Sequence, residues 1–245
     1  MSLNLPTPAV ALAIGAHPDD IEFGAGATLA KWSAAGAVVH HLVCTDGSKG
    51  SWDPSADTAA LVVTRQAEQR AAARALGATG ECVFLGWPDG ELESGLRQRW
   101  EVAYWIRRLQ PTVVLGHDPW KRYRLHPDHR HAGLLAVEGV VAARDPHFFP
   151  EQALPHHRPE AILLFEAEEP DHIEDVTGCV DAKLAALHAH TSQLLSTMGI
   201  DEGATAAEVD GQRQAFDARI IARLAERGHA EGVAHGEAFK LLPDL

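Results

Sequence analysis

The stretch AVALAIGAHPDDIEFG, residues 9–24, decides the fold. From Ala9 to Gly15 it is an unbroken apolar run, the composition of a strand covered on both faces. The run stops at His17-Pro18-Asp19-Asp20, and helical periodicity follows. A strand that ends in a polar cluster and feeds a helix reads as the first half of a βαβ unit.

The same alternation recurs downstream. Further strand candidates are Val38 to Cys44, Cys82 to Gly86, Thr112 to Gly116 and Ala161 to Phe165. Helix candidates lie near residues 25–35, 58–76, 95–109 and 129–143, with Gly36, Gly77 and Pro111 where three of them should stop. Two later helices are expected at about Asp181 to Leu195 and Gln212 to Arg227, before the C-terminal EAFKLL. This predicts an α/β protein, a Rossmann-like three-layer α/β/α fold with a mainly parallel sheet, in one domain spanning 1–245. The segment DPHFFPEQALPHHRPE, residues 145–160, carries four prolines and reads as surface structure, a lid or an oligomer contact.

Composition narrows the function. A formal net charge of -13 over 245 residues, with no basic stripe, argues against nucleic acid as a partner, because that affinity rests on Lys and Arg displacing counterions. The N-terminal segment lacks a basic region, and its apolar run is too short to span a bilayer, so no membrane partner is expected. Cys44, Cys82 and Cys179 are widely spaced and odd in number, which suits buried thiols in a reducing, cytoplasmic compartment.

The tripeptide His-Pro-Asp occurs twice, at 17–19 and at 126–128, where chance predicts it well under once. The first copy extends to Asp20 and the second to His129; each follows a predicted strand and precedes a predicted helix. Ligands of open α/β sheets bind beyond such strand ends, at the point where strand order reverses. Pro18 and Pro127 suit helix starts, and acidic residues there complement the helix dipole. Capping explains neither the histidines nor the duplication. The sharper reading is a metal site with three protein ligands, His17, Asp20 and His129, and one open position. Asp19 then stands as general base, His126 as oxyanion stabiliser or acid, and Asp128 as the carboxylate that orients His126. Asp89, in WPDGEL, reads as a turn residue. His190 reads as a packing or solvent-facing residue, and at most one of His40 and His41 can face a common site.

At these residues the chain resembles the PIG-L/LmbE family of metal-dependent N-acyl deacetylases, whose signatures are AHPDDE and, over a hundred residues later, HPDH. Here they stand as Ala16-His17-Pro18-Asp19-Asp20-Ile21-Glu22 and His126-Pro127-Asp128-His129. Weaker echoes are TDGSKG, TRQAEQRAAARALGA, FLGWPDGEL and KLAALHAHTSQL, so the resemblance covers residues 9 to about 195. It implies zinc, or another transition metal such as iron or cobalt, on His17, Asp20 and His129. It implies attack of a metal-bound water on the N-acyl group of an amino sugar or related amide, with Arg65 and Tyr123 as substrate-contacting candidates. It also implies a homo-oligomer acting on a small-molecule or glycan substrate. The alternatives are an amidase of thiol-sugar conjugates, a non-catalytic metal- or sugar-binding module of the same fold, and a nucleotide-dependent enzyme. The last lacks its G-x-G-x-x-G loop, since Gly15-Ala16-His17-Pro18 occupies that position.

Overall fold

The computed structural model describes residues 1–245. In chain order the elements are β1 (Ser2–Leu3), β2 (Val10–Gly15), α1 (Asp20–Ala34), β3 (Val38–Thr45), α2 (Thr58–Ala75), β4 (Cys82–Trp87) and α3 (Leu96–Leu109). They continue with β5 (Val113–His117), α4 (Pro127–Arg144), β6 (Ala161–Phe165), β7 (His172–Asp175), α5 (Val180–His188), α6 (Ala206–His229) and β8 (Gly236–Pro243). All eight strands join one sheet in the order β1-β7-β8-β6-β5-β2-β3-β4. The pairs from β6 through β4 are parallel, whereas β8 runs antiparallel between β6 and β7.

Period-two alternation in β2 builds two cores at once. Leu12 and Ile14 face α3 and α4, packing with Val102, Ile106, Leu135 and Val140. Ala11 and Ala13 face α1, α2 and α5, where their small size admits Leu29, Trp32 and Leu76. Chain order reverses between β2 and β5: the chain leaves β2 for β3 on one side and returns to β5 on the other. That makes the carboxyl ends of β2 and β5 the crevice of this sheet.

The five predicted strands and the three-layer class hold. The differences have physical causes. Helix α1 starts at Asp20, five residues before its predicted start, so Pro18 lies ahead of the N-cap residue Asp19 rather than inside the helix. The helix expected to reach Leu195 stops at His188 and continues as a 3-10 turn, Thr191–Gln193, and a π turn, Leu194–Met198. The Glu68 carboxylate accepts from Ser192 N, Ser192 Oγ and Thr191 Oγ1 at 2.6–2.8 Å and draws the segment off the helical path. Strand β7 (HIED) escaped prediction because its buried face is polar, His172 bonding Glu174, which also pairs with Lys31.

Residues 145–160 lead from the end of α4 into the start of β6, at the sheet's amino edge. They lie opposite the crevice, so the lid reading is corrected. Arg107, 3% exposed, explains their course. Its guanidinium donates to the carbonyls of Ala142, Ala143, Asp145, Phe148 and Phe149 and to Gln152 Oε1 at 2.8–3.2 Å. Arg107→Met leaves these buried acceptors unpaired and is expected to cost about 3 kcal/mol, a fall in Tm of roughly 6–12 °C by calorimetry. A fall under about 2 °C would show that this wrap does not depend on Arg107.

Candidate active site

Strand β2 ends at Gly15, where a Cβ would stand 3.0 Å from Ile21 Cγ1 and 3.2 Å from Asp20 Cβ, so a glycine lets the start of α1 fold back on the strand. Asp19 then takes the left-handed conformation, φ 107° and ψ -29°, which is strained for an L-residue with a Cβ. Its backbone N–H donates to Gln69 Oε1 at 3.0 Å, and the Arg65 guanidinium donates to Pro18 O at 2.6 Å and Gly47 O at 2.9 Å. The turn sends two successive carboxylates apart. Asp19 faces Arg65, with Oδ2 3.4 Å from Nη2, and Asp20 faces the histidines.

The Asp20 carboxylate is the centre of the cluster. Oδ2 accepts from His17 N at 2.7 Å and lies 3.2 Å from His17 Nδ1 and 3.3 Å from His117 Nε2; Oδ1 lies 3.2 Å from His129 Nε2. On its far side, His17 Nε2 is 3.2 Å from both Asp128 Oδ2 and Asp89 Oδ1. His126, the residue before α4, brings its ring to 4.6 Å from His17 and 5.1 Å from His129 between centroids. Ring nitrogens of His17, His126 and His129 lie within 4.8 Å of one another, as do the ligand atoms of Asp20, His117 and His129.

Burial alone would make His17 harder to protonate, but Asp128, Asp20 and Asp89 hold its pKa well above the ordinary value. For Asp20, burial is likewise outweighed: His129 and His117 hold its carboxyl well below the usual range. Burial pushes Asp19 up to about 6 against the pull of Arg65. His126 moves down, through burial and then through repulsion from His17 and His129. Imidazoles and carboxylates crowded in this way match the donor set of a site for a divalent transition metal, which replaces the protons that otherwise hold such a cluster together.

His17, Asp19, Asp20, Asp89, His126, His129 and Arg65 line one cleft of about 480 Å³, with Lys49, Trp52, Gln193 and Ser196 on its walls. Two expectations are corrected. Asp128 bonds His17 rather than His126: Gly90 N and Leu92 N hold its carboxylate 3.2 Å from His17 Nε2, with a His126 ring nitrogen within 4.8 Å. Tyr123 is 86% exposed and does not line the cleft, its backbone at φ 60° turning the side chain outward. Arg65 is buried, and its two terminal nitrogens donate to Pro18 O, Gly47 O and Asp19 Oδ2, so it braces the turn. His190 is fully buried, 3.3 Å from Glu22 Oε2.

The sequence reading missed four residues. Asp89 does sit in a Pro-Asp-Gly turn, yet its side chain reaches His17. His117 closes β5, and the position of that strand end at the crevice was the available signal. Arg124 and Glu166 bond each other at 2.7 Å beside His117, with no signature in sequence.

The PIG-L family model, described as GlcNAc-PI de-N-acetylase, matches residues 12–140. A diacetylchitobiose deacetylase of Thermococcus kodakarensis is 35% identical over 185 residues, covering 74% of this chain and 69% of the relative. A 1D-myo-inositol 2-acetamido-2-deoxy-alpha-D-glucopyranoside deacetylase of Streptomyces avermitilis is 34% identical over 243 residues, covering 75% of this chain and 82% of the relative. The solved N,N'-diacetylchitobiose deacetylase of Pyrococcus horikoshii superposes with a TM-score of 0.83 at 30% identity, over 96% of this chain and 84% of that one.

Asp128→Asn replaces an acceptor of two backbone N–H groups and a partner of His17 by an amide. Zinc affinity, read by competition with a chromophoric chelator, is expected to fall at least about 10-fold. Wild-type affinity would mean that Asp128 does not hold His17 for a metal.

Proposed function

The chain belongs to the PIG-L family of N-deacetylases, and on that premise we propose that it is a zinc-dependent hydrolase that removes the acetyl group from the nitrogen of a 2-acetamido sugar. One observation carries the reading: the Asp20 carboxylate lies between His17 and His129, while Asp19 and His126 open onto the same cleft. His17, Asp20 and His129 hold the metal, and iron or cobalt would suit the same donors. When bound, the metal supplies Lewis acidity toward the acyl oxygen and toward water.

The remaining steps belong to the side chains. Asp19 is left free of the three-ligand set by the left-handed turn, and it takes the proton of the attacking water. Burial, which raises its carboxyl toward neutrality, matches it to that task. His126 stays neutral near pH 7 and donates an N–H toward the charge that develops on the acyl oxygen. Gln69 holds the Asp19 N–H and Arg65 the Pro18 carbonyl before it, so both support the turn. Trp52, 81% exposed on the cleft wall, presents a flat apolar face to a pyranose ring. A binding module without catalysis has no use for Asp19 and His126, neither of which the three-ligand set requires.

The relatives named for diacetylchitobiose and for an inositol glycoside of 2-acetamido-2-deoxyglucose share an N-acetylated amino sugar, and that moiety is the substrate class proposed here. Acetate release from both compounds tests it. Asp19→Asn should lower kcat by about 100- to 10,000-fold with metal content unchanged. An Asp19→Asn protein that turns over at the wild-type rate would sink the assignment of the base, and a wild-type protein that releases acetate from neither compound would sink the substrate class.

A further inference from the structure

We propose that His117, backed by Glu166 and Arg124, is a positioning residue that sets the Asp20 carboxylate and the His129 ring in the geometry a metal needs. His117 ends β5 at the crevice and is 1% exposed. It does not line the cleft, so its action on the reaction passes through its neighbours. Its ring is wedged in place, stacked on His129 at 4.4 Å and 19° and edge-on to Phe165 at 4.6 Å and 63°. Each nitrogen faces a carboxylate: Nε2 is 3.3 Å from Asp20 Oδ2, and Nδ1 is 3.4 Å from Glu166 Oε2.

The arrangement divides the two oxygens of Asp20. Oδ2 accepts from the His17 backbone N–H and lies beside His17 Nδ1 and His117 Nε2, while Oδ1 has only His129 Nε2 beside it. A carboxylate free to rotate about its last bond would not keep that division; the His17 N–H anchors Oδ2, and the ring of His117, against the same oxygen and stacked on His129, keeps Oδ1 turned to His129. Glu166 is placed for this by a left-handed backbone, φ 53°, directly after β6, which turns its side chain back toward His117. Arg124, its side chain 5% exposed, completes the frame. Its Nη1 bonds Glu166 Oε2 at 2.7 Å and lies 3.2 Å from His129 Nδ1, so one guanidinium ties the residue behind His117 to the outer nitrogen of His129. Groups that hold ligands in this way tune affinity without touching the metal.

The inference rests on the metal reading of Asp20 and His129, and its test reads metal rather than turnover. His117→Phe keeps an aromatic ring, somewhat larger than imidazole, against His129 and Phe165 and deletes both nitrogens; Glu166→Gln, at a side chain 39% exposed on the cleft wall, removes the charge beside Nδ1. Zinc affinity by chelator competition should fall about 10- to 100-fold in His117→Phe and about 10-fold in Glu166→Gln. A merely structural role would lower the melting temperature of the metal-free protein and leave the zinc affinity of the folded protein unchanged. That outcome in His117→Phe overturns the proposal, and if this variant does not fold, wild-type affinity in Glu166→Gln overturns it. Failure of the wild-type protein to bind zinc, iron or cobalt is a different result and strikes the metal reading itself.

Discussion

The left-handed backbone at Asp19 is the constraint on which the site depends. Two adjacent aspartates on a regular helix would project about 100° apart from one surface and share one environment. At φ 107° the first is diverted toward Arg65, while the second opens α1 among the histidines. Such a conformation costs about 1–3 kcal/mol and persists only where its surroundings over-determine it. Here Gln69 takes the Asp19 N–H, Arg65 takes the Pro18 carbonyl, and Gly15 admits the helix against the strand end.

The hydrogen-bond directions around Gln69 extend that constraint inward. Because the Asp19 N–H can only donate, Gln69 must present Oε1 to it, which leaves Nε2 to donate to Glu22 Oε1 at 2.7 Å. Glu22 and His190 are both fully buried, 3.3 Å apart, so α1, α2 and the segment after α5 meet behind the turn. The neighbouring Glu68 ties Thr191 and Ser192 to α2. The echoes at TRQAEQ and HAHTSQ are therefore two sides of one polar scaffold that holds the catalytic turn from beneath.

How much was legible follows from which interactions are local. Strands β2, β3, β5 and β6 announced themselves as apolar runs because both faces are covered, the half-buried edge strand β4 by its apolar composition, and the position of the site at their carboxyl ends followed from topology. The two His-Pro-Asp copies marked residues that do meet in space, although they lie over a hundred positions apart. What stayed hidden is partner choice. Nothing in sequence distinguishes an Asp128 that faces His126 from one that faces His17; two backbone N–H groups, of Gly90 and Leu92, make that selection. Strand β8 was hidden for a similar reason, since Glu237 near its start reads as solvent-facing until Lys183, Ala27 N and Thr28 N are seen to bond it.

The placement of Tyr123 and Arg124 shows how a short loop separates neighbours into different roles. The loop from Asp118 to Leu125 must cross from β5 to α4, and Asp118 pins its start by accepting from Trp120 N and Glu168 N. With Tyr123 at φ 60°, its side chain is sent into solvent and the next residue is turned inward. The inward residue, Arg124, finds Glu166, whose own left-handed backbone turns its carboxylate to His117 Nδ1. Two strained residues on separate loops, Tyr123 before Arg124 and Glu166 itself, thus bring opposite charges together at the edge of the cluster, where Glu166 also lines the cleft. Strain at Glu166 and at Tyr123, the residue before its partner Arg124, is hard to account for by a single ion pair at the edge of the protein, because such pairs contribute about 1 kcal/mol or less. It is better accounted for by the position of the pair, against the Nδ1 atoms of His117 and His129, where the order it imposes passes to Asp20 and His129.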